Sequence, residues 1–324
     1  MSYTNNSLCQ GTGSQFIHTV EIRSLPQGRI TDPVQDTSPY NKLTNSWNFS
    51  MTAVKKWLKQ PIKGVLLDIT GVLYESGEGF GTAIPGSVDA VARLRKAGIP
   101  VRFVTNETCA TQADVVKKLR HHNFSLSEAD IFSPVPAVIS ILKNQGLVPH
   151  ILVHPAIELE FKDMVTGTPT CVVIGDADEA FSFANMNAAF RVLKTMEKPK
   201  LFALGYGKYY KHKDQLQLDV GAFANALEFA CDIKSEVVGK PCLSFFSAAL
   251  SDIGITPEEA VMIGDDIVSD VGGAQKCGIR GVLVRTGKYT DSCENHPTVK
   301  PDFIANNLLE AVDMIIEAHD NTFL

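Results

Sequence analysis

Short runs of Val, Ile and Leu alternate with helical segments from Lys63 onward, and this alternation limits the fold more than any other feature. Buried strands are predicted for "KGVLLDIT" and "IPVRFVTNE", and a helix closed by Gly98 for "SVDAVARLRKAG" between them. This order is typical of a right-handed parallel unit. The pattern returns in "KSEVVGKP", "CLSFFSAALSDIG", "EAVMIGDD", "DVGGAQKCG" and "IRGVLVRTG". We predict an α/β fold with a doubly wound, Rossmann-like parallel sheet.

A second α/β stretch interrupts this pattern. It contains "HILVHP", "CVVIGDADEAFSFANMNAAFRVLKTM" and "KPKLFALGYGKYY", and its edges are rich in turn residues. We therefore expect an inserted cap domain over residues 137–233, with a core domain built from 58–136 and 234–324. Residues 1–57 are rich in Ser, Thr, Asn, Gln and Pro, so a disordered N-terminal extension is expected there.

The charge and cysteine content exclude some classes of partner. A net charge of -6 argues against a surface for nucleic acid, because phosphate backbones are bound by clustered Lys and Arg. The seven cysteines show no CxxC or Cys/His metal spacing, which predicts reduced thiols. No stretch reaches the roughly 20 apolar residues of a membrane span, and no signal pattern opens the chain. We expect a cytoplasmic protein, with the nucleus as a second compartment, and no membrane partner.

Polar residues follow several of the predicted strands at the point where each strand ends. In open parallel sheets, ligands bind beyond these carboxyl ends. We expect one cleft to collect the polar groups, which are Asp68, Thr70, Thr105, Asn106, Lys240, Asp265, Asp266 and, a turn further on, Asp270.

Each of these residue types has a role if the substrate carries a phosphoryl group. The carboxylate of Asp68 can attack phosphorus and form an acyl phosphate. Asp68 and Asp265 can supply oxygen ligands to Mg²⁺. The compact charge of Lys240 suits the nucleophile and the transferred oxygens. Thr105, and Asn106 through its amide or backbone N–H, can donate hydrogen bonds to those oxygens.

Taken singly, these residues have ordinary structural explanations. An Asp after an apolar strand is most often a turn or N-cap residue, and Asp266 and Asp270 can cap the following helix. A lone Lys before Pro is most often solvated. Four such sites in order, all at predicted strand ends, favour the chemical interpretation.

The ordered motifs "DITGV", "VTN", "VVGKP" and "MIGDDIVSD" resemble those of the haloacid dehalogenase-like hydrolase superfamily, and the long insert resembles its C2-type cap. The resemblance covers about residues 62 to 318. It implies a Mg²⁺-dependent phosphohydrolase, a homodimer, and an aspartyl-phosphate intermediate on Asp68. It also implies metal binding by Asp68, the Thr70 carbonyl and Asp265, and substrate binding by Asp68, Ile69, Thr70, Thr105, Asn106 and Lys240.

Thr70 departs from the superfamily pattern. Most of its phosphatases carry a second Asp here, as acid for the leaving group and then base for water. Thr cannot replace this acid, whose proton transfer is typically worth about 10²- to 10⁴-fold. With Asp68, Thr70 and Lys240 as catalytic residues, we expect activity on P–N bonds (phosphohistidine, phospholysine, imidodiphosphate) and on inorganic pyrophosphate. A broad small-metabolite phosphomonoesterase and a weakly active binding protein remain alternatives.

Other conspicuous residues are expected to be structural. Aromatic and Met side chains at helical spacing in the insert, Phe181, Phe183, Met186 and Phe190, predict cap core and not a substrate clamp. Gly272 and Gly273 predict close helix packing, because no GxGxxG motif follows a strand.

Overall fold

The computed structural model describes residues 61–212 and 215–322. The predicted extension over residues 1–57 lies outside the described residues. The strands are β1 (Gly64–Leu67), β2 (Tyr74–Glu75), β3 (Thr82–Ala83), β4 (Val101–Val104), β5 (Ile131–Phe132), β6 (Pro149–Leu152), β7 (Cys171–Ile174), β8 (Leu201–Ala203), β9 (Tyr209–His212), β10 (Gln215–Leu218), β11 (Glu236–Val237), β12 (Ala260–Gly264), β13 (Arg280–Val284) and β14 (Phe303–Ala305).

Helices follow most of these strands. The α-helices are α1 (Ser87–Lys96), α2 (Gln112–His121), α3 (Pro134–Gln145), α4 (Phe183–Lys194), α5 (Val220–Cys231), α6 (Leu243–Ile253), α7 (Gly273–Lys276), α8 (Asp291–Glu294) and α9 (Leu308–Thr322), with a π-helical turn at Ile267–Gly272. As predicted, Gly98 follows the first helix with a φ of 72°, a conformation that favours glycine. Within the described ranges, none of the helices is long and apolar enough to cross a membrane.

The main sheet has six parallel strands in the order β14-β13-β12-β1-β4-β5. Successive residues of β1 face opposite sides of the sheet. Val65 and Leu67 pack in the cluster that contains the buried residues of α1, α2 and α9, whereas Leu66 packs with residues of α6 and α7. Helices therefore cover both faces, which confirms the predicted doubly wound α/β fold. Because the chain moves outward from β1 in both directions, the topological switch point lies at its carboxyl end.

The insert has its own parallel sheet in the order β11-β8-β7-β6. Residues of α4 and α5 pack on one face of this sheet, and α3 packs on the other with the 3₁₀ segment Pro155–Phe161. Elements of this second sheet and its helices extend from Pro134 to Val237. The predicted boundaries of 137 and 233 stay a prediction.

One strand belongs to a different sheet from the one expected. The segment "KSEVVGKP" was predicted to open the C-terminal repeat of the core, but its strand β11 pairs with β8 in the sheet of the insert. Lys240 therefore approaches the main sheet from the edge of the second sheet. A short strand carries no local signal for its partner, because pairing depends on residues far away in the chain.

Most of the predicted structural residues pack as expected. Phe181, Met186 and Phe190 pack on the core of the insert, and Phe181 stacks on Phe223 with ring centroids 3.7 Å apart. Phe183 does not, because it is 88% exposed. A Cβ atom at Gly273 would lie 2.8 Å from Phe246 Cε2, which confirms close helix packing there.

Candidate active site

Three strand ends of the main sheet place polar side chains at the switch point. The backbone N–H of Asp68, after β1, donates to Ile263 O at 2.9 Å, and that of Thr105, after β4, donates to Phe132 O at 3.0 Å. Asp265 follows β12. The side chains of these three residues are buried even though they are polar. Buried polar groups of this kind need partners, which the neighbouring residues provide.

Lys240 provides the central partner. Its Nζ lies 2.6 Å from Asp68 Oδ1 and 2.7 Å from Asp270 Oδ1, and it donates to Val104 O at 3.0 Å. The residue is only 3% exposed, so the alternative interpretation of Lys240 as a solvated surface lysine is wrong. The ammonium thus lies among two carboxylates and the end of β4, which is the position expected for a cation beside the nucleophile.

Asn106 holds Lys240 in this position. Its Nδ2 donates to Lys240 O, and Lys240 N donates to its Oδ1, each at 2.8 Å. Gly239 has a φ of 139°, and a Cβ atom there would lie 2.7 Å from Asn106 Oδ1. The Asn106 amide therefore positions the lysine backbone. A contact between Asn106 and phosphate, through the second Nδ2 hydrogen or the backbone N–H, stays a prediction.

The burial of these charges changes their pKa values. Burial lowers the pKa of the Lys240 ammonium, but the charges of Asp270 and Asp68 outweigh burial and raise it above its ordinary value. Burial, followed by the charge of Asp68, raises the pKa of Asp270 to about 7, although Lys240 acts in the opposite direction. Burial and the charges of Asp68 and Asp270 raise the pKa of Asp265 well above its ordinary value. The cluster therefore carries more negative charge than its one ammonium compensates.

This excess of negative charge fits a divalent cation. Asp68, Asp265 and Asp270 each offer a carboxylate oxygen, and the three atoms lie within 4.8 Å of one another. Three ionised carboxylates and one ammonium leave two negative charges, and carboxylate oxygens are the ligands that Mg²⁺ prefers. The structure thus brings together Asp68 and Asp265, two of the predicted metal ligands. Ligation by the carbonyl of Thr70 stays a prediction.

Asp266 has a structural role. Its Oδ1 accepts from the N–H groups of Val268 and Ser269 at 2.9 Å, which caps the π-helical turn. Burial raises the pKa of Asp266, but Lys288 and these two donors outweigh burial and lower it. The helix-cap interpretation is therefore confirmed for Asp266. Asp270 has two partners, because its Oδ1 lies 2.7 Å from Lys240 Nζ and its Oδ2 accepts from the Asp266 N–H at 3.1 Å.

The loop after β13 closes the site and was missed from the sequence. The Lys288 N–H donates to Asp265 Oδ2 at 2.7 Å, and the Thr286 hydroxyl donates to Gly71 O. A Cβ atom at Gly71 or at Gly287 would overlap Asp265 Oδ2, and both glycines have positive φ. The signal was available, because "VRTGKYT" places polar residues at another carboxyl end of the same sheet.

The remaining predicted contacts have different surroundings. The Thr105 hydroxyl accepts from Glu107 N at 3.0 Å, so its own proton remains available for a ligand. The Ile69 side chain is buried in the core, which leaves only its backbone for substrate. Thr70 Oγ1 donates to the hydroxyl of Tyr74 at 3.1 Å.

A hydrogen bond also joins the insert to the loop after β4. Asp176 N, in the insert, donates to the buried Thr108 hydroxyl at 3.1 Å.

A parallel sheet that ends in a buried carboxylate paired with a buried lysine, beside a carboxylate cluster that could hold a metal ion, is the arrangement expected of a class of phosphohydrolases. Residues 65–168 match the family described as haloacid dehalogenase-like hydrolase, and residues 237–311 match the one described as HAD-hydrolase-like. The human phospholysine phosphohistidine inorganic pyrophosphate phosphatase is 54% identical over 259 residues, which are 80% of this chain and 96% of that protein.

Two further proteins extend the comparison. The human haloacid dehalogenase-like hydrolase domain-containing protein 2 is 42% identical over 256 residues, 79% of this chain and 96% of that protein. The structure of p-nitrophenyl phosphatase from Archaeoglobus fulgidus has a TM-score of 0.70 at 23% identity and covers 78% of this chain and 99% of its own, so it shows the shared fold. The chain belongs to the haloacid dehalogenase-like hydrolase family and is a phosphohydrolase.

Proposed function

We propose that this chain is a Mg²⁺-dependent phosphohydrolase that acts through an aspartyl phosphate on Asp68. Its substrates are the P–N bonds of phosphohistidine, phospholysine and imidodiphosphate, and inorganic pyrophosphate. The observation that carries the mechanism is the 2.6 Å contact between Lys240 Nζ and Asp68 Oδ1, beside two further buried carboxylates. The substrate class is supported by the relative that is 54% identical, which is named for phospholysine, phosphohistidine and pyrophosphate.

The reaction has two displacements. An Asp68 carboxylate oxygen attacks phosphorus, and the bond from phosphorus to the leaving nitrogen or oxygen breaks. Water then attacks the phosphorus of the aspartyl phosphate, which releases inorganic phosphate and regenerates the carboxylate. Lys240 stabilises the charge of the nucleophile and the transferred oxygens. A Mg²⁺ ion held by Asp68 and Asp265 would supply charge neutralisation, and Asp270 orients Lys240 through its ion pair.

Thr70 supports the choice of substrates. The position two residues after the nucleophile carries a hydroxyl and no carboxylic acid, so leaving groups that need a strong acid are expected to be slow. A protonated phosphoramidate nitrogen and a metal-bound phosphate need less help. Faster cleavage of a sugar phosphate or phosphoglycolate than of pyrophosphate would instead favour the phosphomonoesterase.

The experiment that tests this function compares Asp68→Asn with wild type. We expect Mg²⁺-dependent release of phosphate from pyrophosphate and imidodiphosphate, and its loss in Asp68→Asn. Asp89→Asn removes a carboxylate that is 65% exposed and serves as the matched control, with unchanged turnover. Wild-type phosphate release that is no greater than that of Asp68→Asn would contradict the enzyme and favour the weakly active binding protein.

The cellular setting stays part of the proposal. A cytoplasmic location, with the nucleus as a second compartment, is supported by the absence of disulfides among the described cysteines. The homodimer rests on the family resemblance. Its measurement is the mass of the full chain in solution, where a monomer at micromolar concentration would contradict it.

A further inference from the structure

Tyr74, in β2, joins Thr70 to Lys118 of α2. Its hydroxyl is hydrogen-bonded to Thr70 Oγ1 at 3.1 Å, and Lys118 Nζ donates to the same oxygen at 3.3 Å. The Lys118 ammonium also lies 5.2 Å from the centroid of the Tyr74 ring. A continuous polar path therefore runs from the position beside the nucleophile to a cation on α2.

The position of the Tyr74 hydroxyl is fixed by the fold. Gly71 N donates to Tyr74 O at 2.8 Å, which closes the turn between Thr70 and β2. The Tyr74 ring is 5% exposed, packs in the core beside the main sheet, and stacks on His122 with centroids 5.9 Å apart. Because the ring is buried in this packing, the fold holds the Tyr74 hydroxyl beside Thr70.

The hydrogen bonds determine which protons are available. Either hydroxyl of a Thr–Tyr pair can be the donor, because both O–H groups rotate. Lys118 donates to the phenol oxygen, so the phenol proton can be donated to Thr70 Oγ1. The Thr70 proton is then released for another acceptor. Such chains of hydrogen bonds strengthen one another, and the Lys118 ammonium lies 3.3 Å from the phenol oxygen, where it faces the negative charge that develops there.

We propose that Tyr74 is a positioning residue that, with Lys118, makes the Thr70 hydroxyl the proton donor to the leaving group. This inference rests on the proposed function, which places Thr70 beside the substrate. As the bond from phosphorus to nitrogen or oxygen breaks, its electron pair takes the Thr70 Oγ1 proton, and Oγ1 takes the Tyr74 proton. The phenolate then lies beside the Lys118 ammonium.

The second displacement restores the path. Water attacks the phosphorus of the aspartyl phosphate, and its proton passes to Thr70 Oγ1 while the Thr70 proton returns to the Tyr74 oxygen. The leaving group has gained one proton, and phosphate the remaining hydroxide, so the three side chains end as they began. The path thus supplies a weaker acid and then a weaker base than a second carboxylate would, so esters of poorly acidic alcohols remain slow substrates.

The test measures kcat/KM of Tyr74→Phe for phenyl phosphates whose leaving groups differ in acidity, because this quantity reports the step in which the leaving group departs. Phe keeps the ring and its packing but removes the hydroxyl. We expect a loss of about 10²-fold with phenyl phosphate, at the low end for acid–base catalysis. With p-nitrophenyl phosphate we expect a value close to wild type, because nitrophenolate leaves without a proton.

Matched variants separate the path from general structural damage. Lys118→Met keeps the aliphatic chain and should show the same dependence on the leaving group with a smaller loss. Tyr206→Phe removes a phenol bonded to Asn225 and Glu228 in the insert, and Lys117→Met removes the neighbouring lysine. Both controls should change all substrates by the same factor.

Two results would overturn the inference while leaving the proposed function intact. The first is a uniform change, or none, in Tyr74→Phe across the series. The second is an undiminished effect of Tyr74→Phe in a Thr70→Asp background, where the new carboxylic acid should make the phenol unnecessary. A wild-type enzyme without turnover that depends on Asp68 would overturn the proposed function and this inference with it.

Discussion

The side-chain amide of Asn106 holds both the N–H and the C=O of Lys240, although 134 positions separate the two residues. Two hydrogen bonds to one peptide segment fix its orientation as well as its position. From this held backbone, the lysine side chain places its Nζ 2.6 Å from Asp68 Oδ1. A residue predicted to bind phosphate is thus also the support for the cation of the site.

We predict that Asn106→Ala weakens this support. Two lost hydrogen bonds should lower the free energy of unfolding by about 1–3 kcal/mol. A displaced lysine should lower kcat/KM for pyrophosphate by about 10²-fold, because small errors in position are costly in catalysis. Denaturant titration and steady-state kinetics measure the two effects. Asn187→Ala, which removes an amide bonded to Phe183 O on α4, is the control with normal kinetics.

Lys240→Met should destabilise the fold at pH 8. It leaves Asp68 and Asp270 buried without their cation, and such a loss typically costs about 3–5 kcal/mol. Addition of Asp270→Asn should recover part of the loss, because it removes one uncompensated charge. Lys63→Met breaks an exposed pair with Glu259 and should change stability by less than about 1 kcal/mol. Lack of recovery in the double variant would show that Asp270 does not depend on Lys240.

Mg²⁺ should stabilise the wild-type protein through Asp265. A ligand present at 100 times its Kd adds about 2.7 kcal/mol to the free energy of unfolding. Asp265→Asn should lose this increment without being less stable than metal-free wild type, because it removes a buried charge that Asp68 and Asp270 repel. Asp252→Asn, on the exposed pair with Arg102, should keep the increment. Unfolding followed with and without Mg²⁺ gives the answer.

Thr70→Asp should widen the range of substrates. A carboxylic acid at this position should raise kcat/KM for phosphate esters of poorly acidic alcohols by about 10²-fold, at the low end of acid catalysis. Its effect on pyrophosphate should be much smaller, since phosphate is already a good leaving group. Thr70→Ser keeps a hydroxyl and should leave the ratio of ester to pyrophosphate hydrolysis unchanged. An equal change for both substrates would contradict the role assigned to position 70.

Glu228 should make the free energy of unfolding depend on pH in the acid range. Burial raises the pKa of Glu228, but Lys234, Ser235 and Tyr206 outweigh burial and lower the pKa to about 2. A lowered pKa contributes stability above the unfolded value of 4.5, and this contribution is lost as the pH falls towards 2. We expect wild type to lose about 2 kcal/mol more than Glu228→Gln over this range. Glu236→Gln, an exposed neighbour, should behave as wild type in acid unfolding.

The sequence predicted the features that depend on local patterns. The continuous apolar run before Asp68 and the helix closed by Gly98 are visible because strands, helices and turns have local signals. The fold class followed from their alternation. The Asp68 and Asp265 side chains could be placed together because they end strands of one parallel sheet.

The features that were predicted wrongly or missed depend on residues far away in the chain. No local pattern indicated that β11 joins the sheet of the insert, that Phe183 is exposed, or that the Asn106 amide binds Lys240. The loop at Lys288 was missed although "VRTGKYT" places polar residues at a strand end, because its contact with Asp265 is made by a backbone N–H and not by a characteristic side chain. Backbone contacts of this kind depend on φ angles that glycine permits, and the sequence pattern does not specify these angles.

Lys240 follows a strand at the edge of the second sheet, and this limits how the insert can be exchanged in an engineered enzyme. The ammonium that pairs with Asp68 belongs to the segment that returns from the insert to the core, shortly after Val237 ends β11. A variant with a foreign or shortened insert must therefore keep the spacing from β11 to Lys240. Otherwise Asp68 will lie in the folded enzyme without its ammonium partner.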